Sequence, residues 1–455
     1  MRRRVVITGV GTISALGAGR EALWAGLVEG RSALGPIRVF DASGFRSRLA
    51  GEVRDFTARD LVPKHYRKAV KVMARDTELA VGAALFAAQD AGLITRAAGE
   101  NPATTYPGER VGCQIGAGLI AAETPELAAA FSTSVDERGV FSSRLWGEAG
   151  ESGGRGAMNN LQPLWLLKFL PNMLACHVTI IHGLEGPSNT ITCAEASGLL
   201  SIGEGVRVIE RGDADCCFSG GVESKINPMG LLRLDLEGRL APTGEREEGG
   251  ALVRPYDPGA TGTIAGEGGG VLILEERGCA RARGARVYAE IVGFGAGHAS
   301  IAHAGMGWDA PDAGANDGLE RAVREALRDA GVGPESIDAI VPGGFGIPSV
   351  DMGEALTLRA VFADRLARIP LVTCKPNIGA CSAGDGALLA AIGAMCCLEG
   401  KLPARVHHGR PASGLDAGEV GTREARPGHV LVCTPALGGQ NAAMVLRAGT
   451  APDAG

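Results

Sequence analysis

Apolar residues along this chain fall into two alternating rhythms. Short unbroken runs, such as "VVITGVG" (5–11) and "CCFSGG" (216–221), have the length and continuity of strands buried on both faces. Between them lie longer segments whose apolar positions recur three and four apart, the period of a helix with one buried face. The pattern also repeats. The helical segment "ELAVGAALFAAQDAGL" (78–93) resembles "LERAVREALRDAGV" (319–332), and each closes at a glycine suited to ending a helix. "RVGCQIGAG" (110–118) matches "DAIVPGGFG" (338–346), each a strand running into a glycine turn. "EASGLLSIGEGV" (195–206) matches "SAGDGALLAAIGAM" (382–395), and "DADCCFSGGVES" (213–224) matches "HVLVCTPALGGQN" (429–441), in the same order.

Two α/β units of the same order imply parallel or mixed sheets covered by helices on both faces. The expected division is 1–280 for the first half, 281–447 for the second and 448–455 for a disordered tail. Exposed loops are expected around 136–160 and 297–317. Ligands of such sheets bind at strand ends facing the other half, so the turns near 195, 343 and 380 are expected to meet in one central site.

Composition narrows the class. A chain of 455 residues exceeds what one hydrophobic core sustains, which agrees with two units. A net charge of −6 argues against nucleic acid as the main partner. The 11 cysteines sit inside apolar runs, not at zinc or disulfide spacings, and read as free thiols of a reducing compartment. The basic start leads into an apolar run too short for a secretory leader, and no stretch reads as a transmembrane segment, so a cytoplasmic location is expected. The glycines of "GEGGG" (266–270) and "ALGGQN" (436–441) lack the Lys-Ser/Thr ending of a phosphate loop and read as tight turns or close backbone approaches.

Several stretches together resemble the β-ketoacyl-ACP synthases of the thiolase superfamily, in the type II elongating branch. They are "VVITGVGTISALG" (5–17), "PNMLACHVTIIHGLEGPSNTIT" (171–192), "RGDADCCFSGGVES" (211–224), "RPYDPGATGTIAGEGGGVLILEE" (254–276), "CKPNIGACSAG" (374–384) and "ALGGQNAAMVL" (436–446). The resemblance implies a thiolase-like fold, five-layered αβαβα from two duplicated halves. It also implies a cysteine nucleophile at a strand-to-helix turn and two histidines from the second half, which receive an acyl chain and promote malonyl decarboxylation.

Placed in register, all three family side chains are replaced. Ser197-Gly198 puts the nucleophile position on Glu195, with Cys193 two residues earlier. Pro348 and Asp351 put the first histidine position on Gly343. Lys375 and Gly379 of "KPNIGA" are kept, and the second histidine position falls on Ala380. Leu437 stands where active relatives carry a gating phenylalanine. The resemblance therefore implies a chain-length-factor-like subunit, the ketosynthase β type. It would pair through residues 171–195 with an active ketosynthase in a type II polyketide, aryl-polyene or fatty-acid system. Condensing activity on its own is not expected. The alternatives are an acyltransferase, decarboxylase or hydrolase using Glu195 as a base or Cys193 as a displaced nucleophile, and a homodimeric acyl-binding protein.

No cofactor or metal is expected; substrates would arrive on the phosphopantetheine of an acyl carrier protein. The basic stretch "PKHYRKAVKVMAR" (63–75), read as a helix, offers Lys64, Arg67, Lys68 and Lys71 as a docking surface for that acidic carrier. Lys375 is expected to be buried and paired with Glu195 or Glu354, because an unpaired buried ammonium is costly. His177 and His182 read as packing residues.

Overall fold

The computed structural model describes residues 2–148, 156–300 and 314–449. The first half runs β1 (Val5–Ser14), α1 (Arg75–Asp90), β2 (Val111–Gly116), α2 (Met173–His182), β3 (Ser188–Ile191), α3 (Ser197–Glu210), β4 (Cys216–Ser224) and β5 (Ala265–Glu276). The second continues with β6 (Ala289–His298), α4 (Asp317–Ala330), β7 (Ala339–Val341), α5 (Pro348–Phe362), α6 (Asp385–Glu399), β8 (His429–Pro435) and β9 (Gln440–Ala448). The basic opening of the chain leads directly into β1.

Strand order makes the duplication explicit. From the centre outward the first half reads β1-β5-β4-β2-β3 and the second β6-β9-β8-β7. In each half the first two pairings are antiparallel and the next parallel: β1/β5 and β5/β4 then β4/β2, against β6/β9 and β9/β8 then β8/β7. An isolated parallel bridge from Ile340 to Leu371 stands in the second half where β3 pairs with β2 in the first. β1 and β6 also pair, Val5 opposite Ile291, which joins the two sheets into one continuous surface.

Packing gives the five layers. α1 and α2 cover the outer face of the first sheet, around Leu79, Ala83, Leu174 and Phe218. α4 and α5 cover the outer face of the second, around Leu319, Val323 and Leu358. α3 and α6 fill the middle with Leu199, Ile202, Leu388 and Ile392. The central helices approach at their first turns. A β-carbon on Gly198 would lie 2.8 Å from the Ala383 carbonyl oxygen, and one on Gly386 would lie 2.5 Å from the Leu199 nitrogen. Glycine is required there, and it holds the two helix entries together at the centre of the molecule.

Some expectations need correction. Residues 63–75 are not one helix: short 3-10 turns at Lys64–Tyr66 and Ala69–Val72 precede α1, whose first residue is Arg75. Segment Ser382–Glu399 is apolar and long enough to cross a membrane by length and composition, but 89% of it is buried inside the protein, as a central core helix requires. The glycines of 266–270 lie within β5, where β-carbons on Gly268 and Gly269 would strike the carbonyl oxygens of Ile13 and Gly221 at 2.2 and 2.1 Å. Close backbone approach, not a turn, explains them. Within the expected loop at 136–160 a short helix forms over Ser143–Gly147. Residues 149–155, most of the segment near 297–317 and the tail from 450 lie outside the described residues.

Candidate functional site

The strand-to-helix turn entering α3 is a duplicated device. After β3, Ala194 adopts φ 46°, a 3-10 turn spans Ala194–Ala196, and α3 follows. In the second half Ser382 adopts φ 47°, a 3-10 turn spans Ser382–Gly384, and α6 follows. A non-glycine residue in the left-handed region is costly, so its recurrence at both helix entries marks a turn that the surrounding packing enforces. Glu195 follows the strained residue of the first turn and points into the protein, 2% exposed.

Its carboxylate is fully engaged. Arg239 donates from Nη1 to Oε1, and the Leu437 backbone N–H donates to Oε2 at 3.1 Å. Burial by itself would raise the pKa of this carboxyl. The Arg239 charge, the Glu195 backbone N–H and the Leu437 N–H outweigh it and hold the group below the ordinary glutamate value. The residue is therefore an anion at neutral pH, already paired and hydrogen-bonded.

Phe345 defines the rest of the site. It is fully buried; the Arg239 guanidinium lies 5.9 Å from its ring centre and Lys375 Nζ lies 5.1 Å from it. A β-carbon on Gly343 would stand 2.8 Å from Phe345 Cε2 and 2.9 Å from Pro435 Cδ. Any side chain at 343 would thus compete with Phe345 for the same space. The loop carrying both is fixed by two buried acids of α5. Glu354 accepts the N–H groups of Gly343 and Gly344 at 2.9 and 3.0 Å, and Asp351 accepts those of Phe345 and Gly346, each at 2.8 Å. Burial lifts the Asp351 carboxyl to about 7 despite these donors.

Lys375 is 0% exposed, as expected, but its partner is neither Glu195 nor Glu354: Nζ donates to Asp385 Oδ1 at 2.7 Å. Asp385 is the first residue of α6 and also accepts the Cys381 N–H at 2.9 Å. Burial acts to lower the Lys375 pKa, but the Asp385 charge overrides it and keeps the ammonium protonated. Glu354 is instead spent on the backbone of the 343 loop. Ala380, almost wholly buried, bridges to Ala265 of β5 through its backbone.

Cys193 precedes the turn and is partly exposed. Its backbone N–H donates to Ser197 Oγ at 2.7 Å, and burial raises its thiol pKa, with no cationic neighbour among the described residues to oppose the rise. That is the setting of an unactivated thiol. The structure therefore brings Gly343 and Lys375 to Phe345 directly and Glu195 through Arg239, while Ala380 is held by β5. It adds Arg239 and Asp385, which sequence reasoning missed. Asp385 had left a signal, as a lone acid within the apolar run "ACSAGDGALLAAIGAMCC"; Arg239 had left none.

Lys64, Arg67, Lys68 and Lys71 are exposed on the 3-10 turns before α1, and their side chains make no ion pair among the described residues. Arg75, next along, turns inward and pairs with Glu267 at 3.0 Å. His177 and His182 are buried packing residues, bonded to Tyr66 and Thr95 at 3.0 and 2.8 Å.

A fold of two fused αβ halves with a nucleophile-type turn at the shared helix layer defines a thiolase-like ketosynthase. The chain belongs to the β-ketoacyl synthase family. Residues 2–280 match the β-ketoacyl synthase N-terminal domain and 288–409 the C-terminal domain. It is 31% identical over 98% of its length to the 3-oxoacyl-[acyl-carrier-protein] synthase 2 of Coxiella burnetii, covering 98% of that protein. It is also 31% identical, over 97% of its length and 98% of the relative, to the actinorhodin polyketide putative beta-ketoacyl synthase 2 of Streptomyces coelicolor. Among solved structures it is similar to the ishigamide ketosynthase/chain length factor, with TM-score 0.79 and 29% identity over 99% of this chain and 100% of that one.

Proposed function

We propose that this chain is a non-elongating partner of an active β-ketoacyl synthase, of the chain-length-factor type, in a type II polyketide, aryl-polyene or fatty-acid system. One observation carries the reading: the residue at the nucleophile position is a carboxylate already committed to Arg239 and the Leu437 N–H. No thiolate stands at the turn to take an acyl group. No imidazole stands at 343 or 380 to assist decarboxylation, and Phe345 fills the space a side chain at 343 would need. The unactivated Cys193 does not supply a substitute nucleophile. The similarity to the ishigamide ketosynthase/chain length factor supports the pairing.

Two surfaces fit the partners of such a subunit. β3 is the outermost strand, pairing with β2 alone among the described residues, and Ile180 of α2 together with Leu164 (79% exposed), Leu166 and Leu167 expose apolar side chains close by in sequence. An open strand edge beside apolar surface suits a second ketosynthase-fold chain. Lys64, Arg67, Lys68 and Lys71, in no ion pair among the described residues, suit an acidic carrier protein that delivers substrate on its phosphopantetheine.

The test is reconstitution. The purified chain, alone, is expected to give no elongated acyl-carrier product; mixed with the ketosynthase from the same host it should change product amount or length. Elongation by the chain alone overturns the proposal. Charge reversal at Arg67 and Lys68 should weaken carrier binding and its salt dependence, and unchanged binding removes the docking assignment.

A further inference from the structure

The carboxylate of Glu195 and its two donors come from three separated parts of the chain: the turn itself, the Leu437 N–H, and Arg239. Their positions are set by the structure around them. The turn is fixed by the α3/α6 contact at Gly198 and Gly386. Arg239 is 7% exposed and lies against Phe345. Its ion-pair partner within 4 Å is Glu195 among the described residues, while the neighbouring Lys375 is already neutralised by Asp385. A guanidinium on one carboxylate oxygen and a backbone N–H on the other make up a hydrogen-bond set by which proteins recognise a planar carboxylate.

We propose that Arg239 and the backbone N–H of Leu437 form a carboxylate-binding site that Glu195 occupies in cis, and that the site accepts a free small carboxylate once that side chain is shortened. The fit is specific in size. Glu195→Ala keeps the β-carbon and removes one methylene and the carboxylate, whose heavy atoms are those of acetate. The proposal concerns the single chain and stands apart from any role beside a ketosynthase.

The experiment follows thermal unfolding of the full chain at constant ionic strength while sodium acetate replaces chloride. Glu195→Ala should melt below the parent in chloride, because Arg239 is left as an uncompensated buried charge. Its Tm should climb with the logarithm of acetate concentration, as binding to the folded state requires. The neutral isostere acetamide and the bulkier pivalate should give no such rise. Glu195→Ala/Arg239→Met should melt above the single variant in chloride and ignore acetate. If Glu195→Ala is recovered unfolded, refolding yield in acetate against chloride reads the same rescue. Glu195→Gln supplies a control in which the amide still fills the site, so acetate should not restore it. An equal acetate response in parent, single and double variants would make the effect a bulk salt effect and overturn the proposal. So would a Glu195→Ala protein that is as stable as the parent in chloride.

Discussion

Gly343→His tests whether the site can be rebuilt by restoring the family side chain. The new β-carbon would stand 2.8 Å from Phe345 Cε2 and 2.9 Å from Pro435 Cδ, well inside ordinary contact distance, before any of the ring is placed. Phe345 cannot yield freely, since it is buried against Arg239 and Lys375 and its backbone N–H is held by Asp351. Overpacking of this kind costs about 1–3 kcal/mol. Expelling Phe345 from its buried position adds about 1.5–3 kcal/mol of lost apolar burial. The variant is therefore expected to lose roughly 2.5–6 kcal/mol, read from urea unfolding at constant slope. Phe345→Ala alone leaves a cavity and should cost about 3–5 kcal/mol. The double variant Gly343→His/Phe345→Ala should be less destabilised than the sum of the two by more than about 1 kcal/mol, because the imidazole then occupies the vacated volume. The corresponding functional expectation is that Glu195→Cys/Gly343→His/Ala380→His does not condense acyl-carrier substrates while Phe345 remains. Additive stabilities, or a Gly343→His protein as stable as the parent, would refute the claim that Phe345 has taken the histidine's place.

Other perturbations probe the buried charges. Lys375→Met leaves Asp385 buried without its cation and should cost about 3–5 kcal/mol, whereas Lys375→Met/Asp385→Leu should recover most of that loss in the same urea assay. Asp76 is buried beside Glu223 and accepts the Ser224 N–H, with Lys225 paired to Glu223; burial first and Glu223 second lift its carboxyl from 3.8 to about 7. A folded-state pKa raised above the unfolded value gives stability present below about pH 4 and lost as pH rises toward 7, by at most about 4 kcal/mol. Asp76→Asn should flatten this part of the pH profile and stabilise the protein at pH 8; an unchanged slope would count against the shift. Because burial raises the Cys193 thiol, its alkylation by iodoacetamide, followed by peptide mass spectrometry, should be slow at pH 7 and speed up about tenfold per pH unit. Fast alkylation at pH 7 would revive it as a nucleophile.

Much of the architecture was legible without coordinates. Hydrophobic period is a local property, so "VVITGVG" and "ELAVGAALFAAQDAGL" announced β1 and α1, and the repeated order of such segments announced the paired halves. The basic stretch at 63–75 misled because charge spacing alone does not distinguish a helix from consecutive 3-10 turns. The register set by Ser197-Gly198 likewise placed Glu195 at the turn.

What the residues at that turn touch was decided by the tertiary structure. Glu195 and Arg239 are 44 positions apart, and neither lies in a pattern that names the other. Lys375 chose Asp385 over Glu195 and Glu354 because the turn before α6 brings Asp385 to it, while Glu354 is consumed by the 343 loop and Glu195 by Arg239. Phe345 read only as one apolar residue in "GGFG", yet its ring lies against two buried cations and fills the space beside Gly343. Periodicity records which face of an element is buried. Ion pairing and steric exclusion depend on which distant segments meet in that interior, and only the folded chain brings those together.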